Sequence, residues 1–171
     1  MIISLTGFMG CGKSSVGREL SRLLCCPFMD LDSVIEEREG RKIPEIFATE
    51  GEAAFRRMEA EALRKCIYGQ ASDKLVVALG GGTVMTEECA KIVHEKTVCI
   101  YLRASVETLM DHLAGEVDNR PMLAGNLRTR IEELMSIRSA TYEKTAHIMI
   151  DTDGKTIEEI AREISIKELF I

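Results

Sequence analysis

GFMGCGKS, residues 7 to 14, stands between the short apolar run IISLT (2–6) and a segment with helical periodicity that begins at Lys13. This strand–loop–helix context is the one that a Walker A phosphate-binding loop requires. Its glycines allow successive backbone N–H groups to point at phosphate oxygens, and the start of the helix adds the positive end of its dipole. The stretch therefore predicts binding of a nucleoside triphosphate.

Two side chains of the loop have defined tasks in this interpretation. Lys13 is expected to bridge the β- and γ-phosphates, and the Ser14 hydroxyl is expected to ligate Mg²⁺, which makes Mg²⁺ the predicted cofactor. The complete set of residues in this loop that are predicted to bind the nucleotide is Gly10, Cys11, Gly12, Lys13, Ser14 and Ser15.

Apolar strands alternate with amphipathic segments along the chain. The strands are nearly continuous in apolar character, which is typical of a parallel sheet with helices on both faces. We therefore predict an α/β fold, a three-layer α/β/α sandwich with a five-stranded parallel sheet, in one domain over residues 1–171. Strands are predicted at 2–6, 27–31, 74–79, 97–102 and 147–151, and helices at 13–25, 33–40, 44–68, 86–95, 105–113, 127–145 and 156–168, with breaks near Gly51 and Gly69.

Composition excludes several classes of function. The chain of 171 residues is 46% hydrophobic and 29% charged, and its apolar runs are too short to span a membrane. The N-terminus lacks the basic region of a secretory signal, and the six cysteines show no paired spacing, so we expect a cytoplasmic protein with reduced thiols. The formal net charge of −6 argues against a nucleic-acid surface. An anionic ligand must therefore be held by a few placed cations.

PFMDLD, residues 27–32, places Asp30 and Asp32 two residues apart at the end of the second strand. If the extended geometry continues, the two carboxylates share one side of the strand, beside the phosphate loop. Asp30 is then predicted to support Mg²⁺ through water, and Asp32 to accept a hydrogen bond from an acceptor hydroxyl. The alternative is that these acids cap the helix that begins at Ser33.

The phosphate loop does not identify the acceptor, and two other segments bear on it. VVALGGGTV, residues 76–84, ends the third strand in three glycines, which indicates that a ligand approaches the main chain closely; the alternative is a flexible turn. Residues 114–126, AGEVDNRPMLAGN, form a long irregular loop that is either functional or disordered.

Six motifs together resemble one family. GFMGCGKSSVG, FMDLD, FRRME (55–59), GGG (80–82), RPML (120–123) and RSATY (138–142) occur in the order and spacing of shikimate kinases, over residues 1 to about 150. The resemblance implies a P-loop kinase fold with sheet order 2-3-1-4-5, substrate-binding helices at about 33–62 and a lid at about 114–126. It also implies transfer of the γ-phosphate of ATP to the 3-hydroxyl of shikimate, by a monomer whose partners are these two small molecules.

The resemblance assigns roles residue by residue. Asp32 would contact the shikimate hydroxyls as a base or as an orienting group, Arg56 and Arg138 would bind the carboxylate, and Arg120 in the lid would stabilise transition-state charge. Gly80, Gly81 and Gly82 would line the substrate. From the residues alone, Arg56, Arg57 and Glu59 would be interpreted as a solvated helix face. The resemblance thus makes Lys13, Asp32 and Arg120 the predicted catalytic residues.

Two departures from the family pattern remain. The stretch DHLAGEVD (111–118) lacks an arginine that many shikimate kinases carry before the lid, so the adenine contact is unassigned and His112 is only a weak substitute. The lid contains RPML where RPLL is usual. Two alternatives also remain: a kinase for gluconate or a nucleoside monophosphate, and a nucleotide-binding module without catalysis.

Overall fold

The computed structural model describes residues 1–114 and 121–168. Within these ranges it contains five strands, seven α-helices and two short 3-10 helices. The strands are β1 (Ile2–Thr6), β2 (Phe28–Asp30), β3 (Leu75–Ala78), β4 (Val98–Arg103) and β5 (Ile148–Asp151). The helices are α1 (Lys13–Leu23), α2 (Leu31–Glu39), α3 (Ile43–Tyr68), α4 (Glu87–Lys96), α5 (Val106–Leu113), α6 (Leu127–Thr145) and α7 (Ile157–Glu168). The 3-10 helices are Thr83–Met85 and Pro121–Leu123.

The strands form one parallel sheet in the order β2-β3-β1-β4-β5, which confirms the predicted topology. Ala78 at the end of β3 pairs with Leu5 of β1 on one side and with Asp30 of β2 on the other. Because parallel strands all run the same way, the loops that follow β1, β2 and β3 leave the sheet at one edge. The phosphate loop, Asp30 and the glycine run, Gly80 to Gly82, are therefore neighbours.

The sheet is buried on both faces. All four residues of β3 are buried, and so are Cys99 to Leu102 of β4, although successive side chains of a strand point to opposite faces. Helices must therefore cover both sides, as the uninterrupted apolar strands predict. Helix α1 packs against α7, and α4 packs against α3 and α6. The predicted three-layer α/β/α architecture is confirmed.

The junction of β2 and α2 differs from the expectation. The extended conformation ends at Asp30, and the helix begins at Leu31, two residues earlier than predicted. Asp30 caps this helix, since its Oδ1 accepts hydrogen bonds from the backbone N–H groups of Asp32, at 3.1 Å, and Ser33, at 3.3 Å. Asp32 consequently lies in the first turn of α2 and not on a strand.

Helix α3 changes direction at Gly51. This glycine has φ 80° and ψ 174°, so it interrupts the helix at the predicted break. A positive φ of this size strains any residue with a side chain, which explains why glycine stands here. The interruption allows the parts of α3 before and after Gly51 to present side chains to the same pocket, described below.

The predicted lid is only partly within the described residues. Residues 115–120, Arg120 among them, lie outside those ranges. After them, Leu123 is fully buried, and the carbonyl of Met122 accepts a hydrogen bond from Arg130 Nε at 2.8 Å. The end of the lid segment is thereby fastened to α6.

Among the helices of the described ranges, none has the length and apolar character needed to cross a membrane.

The environments of the cysteines predict which thiols react. Burial raises the pKa of Cys89 to about 11 and that of Cys99 to about 12, whereas Cys25 is exposed. A raised pKa lowers the thiolate fraction at any given pH, and the thiolate is the nucleophile. At pH 8, iodoacetamide should label Cys25 in the native protein and leave Cys89 and Cys99 unmodified. Mass spectrometry checks this, with denatured protein as the fully labelled control; labelling of native Cys99 as fast as Cys25 would contradict it.

Candidate active site

Two pockets adjoin at the carboxyl edge of the sheet. The larger has a volume of about 720 Å³ and surrounds the phosphate loop, with residues from the start of α7 opposite. The smaller, of about 300 Å³, lies between α2, α3, α6 and the glycine run. Their sizes suit a nucleotide and a small ring compound. The residues that line both pockets are Met9, Ser14, Asp30, Asp32 and Gly81.

The phosphate loop lines the larger pocket. Gly10 has φ 80°, and a Cβ there would lie 2.7 Å from Leu113, while Gly12 has φ 96° and precedes α1 directly. Lys13 is buried, and its Nζ donates hydrogen bonds to the carbonyls of Gly7, at 2.9 Å, and Phe8, at 3.0 Å. The ammonium group is thus held inside the loop. All six residues predicted to bind ATP here line this pocket, from Gly10 to Ser15.

Ser14 and Asp30 form the polar contact between the loop and β2. The Ser14 hydroxyl donates a hydrogen bond to Oδ2 of Asp30, whose other oxygen caps α2. Hydroxyl and carboxylate oxygens are the ligand type that Mg²⁺ prefers. Within the described ranges, no group of three His, Cys, Asp or Glu side chains could hold a metal by itself. These two residues therefore fit a Mg²⁺ whose remaining ligands are water and phosphate oxygens.

Arg56 is fixed by two acids on its own helix. Its Nη1 donates to Glu59 Oε2 at 2.7 Å, and its Nη2 donates to Glu52 Oε1 at 3.3 Å. Glu59 is fully buried, and its Oε1 accepts a hydrogen bond from the Thr83 hydroxyl at 2.6 Å. Burial lowers the pKa of Arg56, but the charge and hydrogen bond of Glu59 outweigh it and raise the pKa overall. The guanidinium is therefore a positioned cation in the smaller pocket, whereas Arg57 is exposed.

Arg138 reaches the same pocket from α6. It is only 4% exposed, and its Nη1 donates to the carbonyl of Gly81 at 3.4 Å. Among residues 1–114 and 121–168, Arg138 makes no ion pair with a carboxylate. A buried guanidinium without a counter-ion is costly, so this position favours an anionic ligand.

The glycine run leaves room for charged side chains. A Cβ on Gly80 would lie 2.7 Å from Glu59 Oε1 and 2.9 Å from Asp32 Oδ1, and a Cβ on Gly82 would overlap the guanidinium of Arg56. We predicted that the bare backbone admits a ligand. The structure adds a second reason, because the flanking acids and arginines occupy the space that side chains here would fill.

Sequence reasoning missed three contacts of this site. The Tyr142 hydroxyl donates a hydrogen bond to the carbonyl of Gly81, and Thr83 orients Glu59. His112 lines the larger pocket, and its Nδ1 lies 2.6 Å from the carbonyl oxygen of Gly10. The spacing of Arg138 and Tyr142, four residues apart on one helix, could have indicated that both face the glycine run. Nothing in the sequence signals the other two contacts.

The fold and this pair of pockets define a P-loop phosphotransferase whose acceptor is small and carries a negative charge. The shikimate kinase family model matches residues 9–168. A shikimate kinase of Thermus thermophilus is 45% identical over 163 residues, 95% of this chain and 86% of the relative. One of Bordetella pertussis is 40% identical over 163 residues, 95% of this chain and 75% of the relative.

Comparison with solved structures indicates the same family. The shikimate kinase of Acinetobacter baumannii, solved in complex with shikimate, has a TM-score of 0.94 and 34% identity, covering 99% of this chain and 93% of that one. The chain belongs to the shikimate kinase family, which are ATP-dependent phosphotransferases with an alcohol group as acceptor.

The packing of the glycine run generates a prediction. Gly82→Ala should displace Arg56 and raise the KM for shikimate about tenfold, with the KM for ATP changed less than about twofold, since the clash lies on the acceptor side only. Steady-state kinetics measures both constants. Gly40→Ala is the control for backbone strain without a clash, because φ 65° at Gly40 strains an alanine although no atom lies within 4 Å of the position that an added methyl group would take; it should leave the KM for shikimate unchanged. An unchanged KM for shikimate in Gly82→Ala would show that Arg56 is not used there.

Proposed function

We propose that this chain, as a single P-loop kinase domain, transfers the γ-phosphate of ATP to the 3-hydroxyl of shikimate, giving shikimate 3-phosphate and ADP. The observation that carries the proposal is the shared boundary of the two pockets, where Ser14, Asp30 and Asp32 face both. A phosphoryl group bound at the loop has an acceptor pocket directly beside it. Transfer in line between them requires positioning and charge stabilisation, without a covalent enzyme intermediate.

The larger pocket binds the nucleotide in this proposal. Backbone N–H groups from Gly10 to Ser15 hold the phosphates, and Lys13 exchanges its carbonyl partners for β- and γ-phosphate oxygens. Ser14 and Asp30 hold Mg²⁺, with Asp30 acting through water. The metal, when bound, supplies charge neutralisation to the phosphate oxygens. Since Ser14 and Asp30 already contact each other, little rearrangement of the protein is needed.

The smaller pocket binds the acceptor. Arg56 and Arg138 come from different helices and bind the carboxylate, because guanidinium groups match its two oxygens. Asp32 lies at the boundary of the pockets and accepts a hydrogen bond from the attacking hydroxyl, orienting it or taking its proton. Gly80, Gly81 and Gly82 present bare backbone to the ring. Phe47 and Phe55, whose ring centroids are 4.9 Å apart, form the apolar wall of this pocket.

The lid keeps its predicted role in this proposal. Arg120 closes over the nucleotide and stabilises charge that develops on the transferred group, as other arginines do in phosphoryl transfer. Its neighbours support a lid in this place, because Met122 lines the acceptor pocket and is fastened to α6. We also propose a monomer as the active form, because residues of one chain line both the nucleotide pocket and the acceptor pocket.

Acceptor-dependent ADP release tests the reaction. Purified protein with Mg²⁺ATP should release ADP rapidly with shikimate and only slowly with gluconate, AMP or CMP, because those lack the combination of a compact ring, hydroxyls and one carboxylate. A coupled assay measures the rates. Stimulation by gluconate or a nucleoside monophosphate, and not by shikimate, would identify that compound as the substrate. ATP binding without stimulation by any acceptor would favour a nucleotide-binding module without catalysis.

Two adjacent arginines provide a matched test of the carboxylate site. Arg56→Ala should raise the KM for shikimate about 10- to 100-fold, since it removes a charge-assisted interaction worth about 1.5–3 kcal/mol. Arg57→Ala should change it less than about twofold, because Arg57 is exposed. The KM for ATP should remain near that of the wild type in both variants. Equal effects of the two substitutions would show that Arg56 does not bind the acceptor.

A further inference from the structure

We propose that Tyr142 is a positioning residue for the acceptor: its buried hydroxyl holds the carbonyl of Gly81, the same carbonyl to which Arg138 donates, and so fixes the carboxylate site on the side of α6. The inference rests on the proposed function, because it concerns how the acceptor pocket is held in shape. Tyr142 itself is fully buried and does not line either pocket, so it acts through the Gly81 peptide.

The contacts of the phenol carry the proposal. Its O–H donates a hydrogen bond to the carbonyl of Gly81, and the same carbonyl accepts from Arg138 Nη1. Burial raises the pKa of Tyr142, and the positive charge of the neighbouring Arg138 opposes that rise. Three groups from α6 and the glycine run therefore meet at one point. A phenylalanine ring in this place could not donate to the carbonyl.

Fixing the Gly81 carbonyl also fixes the peptide that follows it. The peptide unit is planar and trans, so the N–H of Gly82 points away from the carbonyl of Gly81. With that carbonyl held toward α6 by Tyr142, the N–H must point to the other side. Glycine alone would leave this peptide free to rotate, because it has no side chain that restricts φ and ψ. Tyr142 supplies the constraint that Gly81 lacks.

The two arginines of the acceptor pocket are thus held differently. Arg56 is oriented by the carboxylates of Glu59 and Glu52, whereas Arg138 has no carboxylate partner within the described ranges. A neutral partner orients the guanidinium without neutralising it. The charge of Arg138 therefore stays available to the acceptor carboxylate, and the position of Arg138 depends on the Gly81 carbonyl that Tyr142 holds.

Tyr142→Phe removes that hydroxyl and keeps the ring. It should raise the KM for shikimate about 3- to 10-fold, the range expected for one lost hydrogen bond, with kcat and the KM for ATP changed less than about twofold. Tyr101→Phe is the matched control. Its ring lies 5.2 Å from that of Tyr142 and is also buried, but Tyr101 lines a separate pocket with Ser139, and its hydroxyl makes no hydrogen bond to the glycine run within the described ranges. This control should leave the KM for shikimate unchanged.

A second measurement does not depend on activity. Saturating shikimate should raise the unfolding midpoint of Tyr142→Phe by less than it raises that of the wild type, whereas ADP should raise both by the same amount. Because each protein is its own reference, a lower midpoint of the free variant does not affect the comparison.

The outcomes separate this inference from the proposed function. If the wild-type protein shows no shikimate-dependent ADP release, both the proposed function and the role of Tyr142 are wrong. An active wild type with an unchanged KM and midpoint shift in Tyr142→Phe would overturn only the role of Tyr142. Equal losses for shikimate and ATP, or equal effects of Tyr101→Phe, would show that the hydroxyl contributes to the fold alone. A selective loss for shikimate in Tyr142→Phe supports the inference.

Discussion

The parallel pairing of β2, β3 and β1 determines where every assigned group can be. Ala78 is in register with both Leu5 and Asp30, so β2 and β3 end at the same level and β1 ends one residue further on. The chain must turn there three times, and each turn carries a different component: the phosphate loop, the capping carboxylate of Asp30 and the glycine run. A shift of register in any one strand would separate these components by a strand residue, about 3.3 Å, which is more than a hydrogen bond tolerates.

Contacts with the glycine run position both arginines of the acceptor pocket. Arg56 is joined to it through Glu59 and Thr83, and Arg138 through its own contact with the carbonyl of Gly81. Two cations from different helices are thereby set at a defined distance by one short piece of backbone. Side chains on that backbone would push the cations apart, so the lack of side chains is a requirement of packing as much as of ligand access.

Most elements of the fold could be predicted from the sequence, because strands, helices and helix breaks depend on local sequence patterns. Apolar runs and glycine breaks predicted the strands, the helices and the interruption of α3 at Gly51. What failed was the end of β2. The extended geometry was assumed to reach Asp32, but the Asp30 side chain satisfies two backbone N–H groups and starts α2 at once. The contact of Tyr142 was also missed: its spacing from Arg138 indicates a shared helix face, but it does not identify a partner 61 residues away in sequence. The roles of the site residues remain predictions.

The charge of Arg138, which has no carboxylate partner in the part of the chain that the structure describes, bears on how salt affects ligand capture. The chain carries a formal net charge of −6, so its long-range field repels anions, and attraction is confined to a few buried or half-buried cations. Dissolved salt screens the repulsion, which acts beyond the Debye length of about 10 Å at 0.1 M, far more than it screens contacts inside a pocket. Capture of anionic ligands therefore tolerates salt that would release a polyanion from a basic surface.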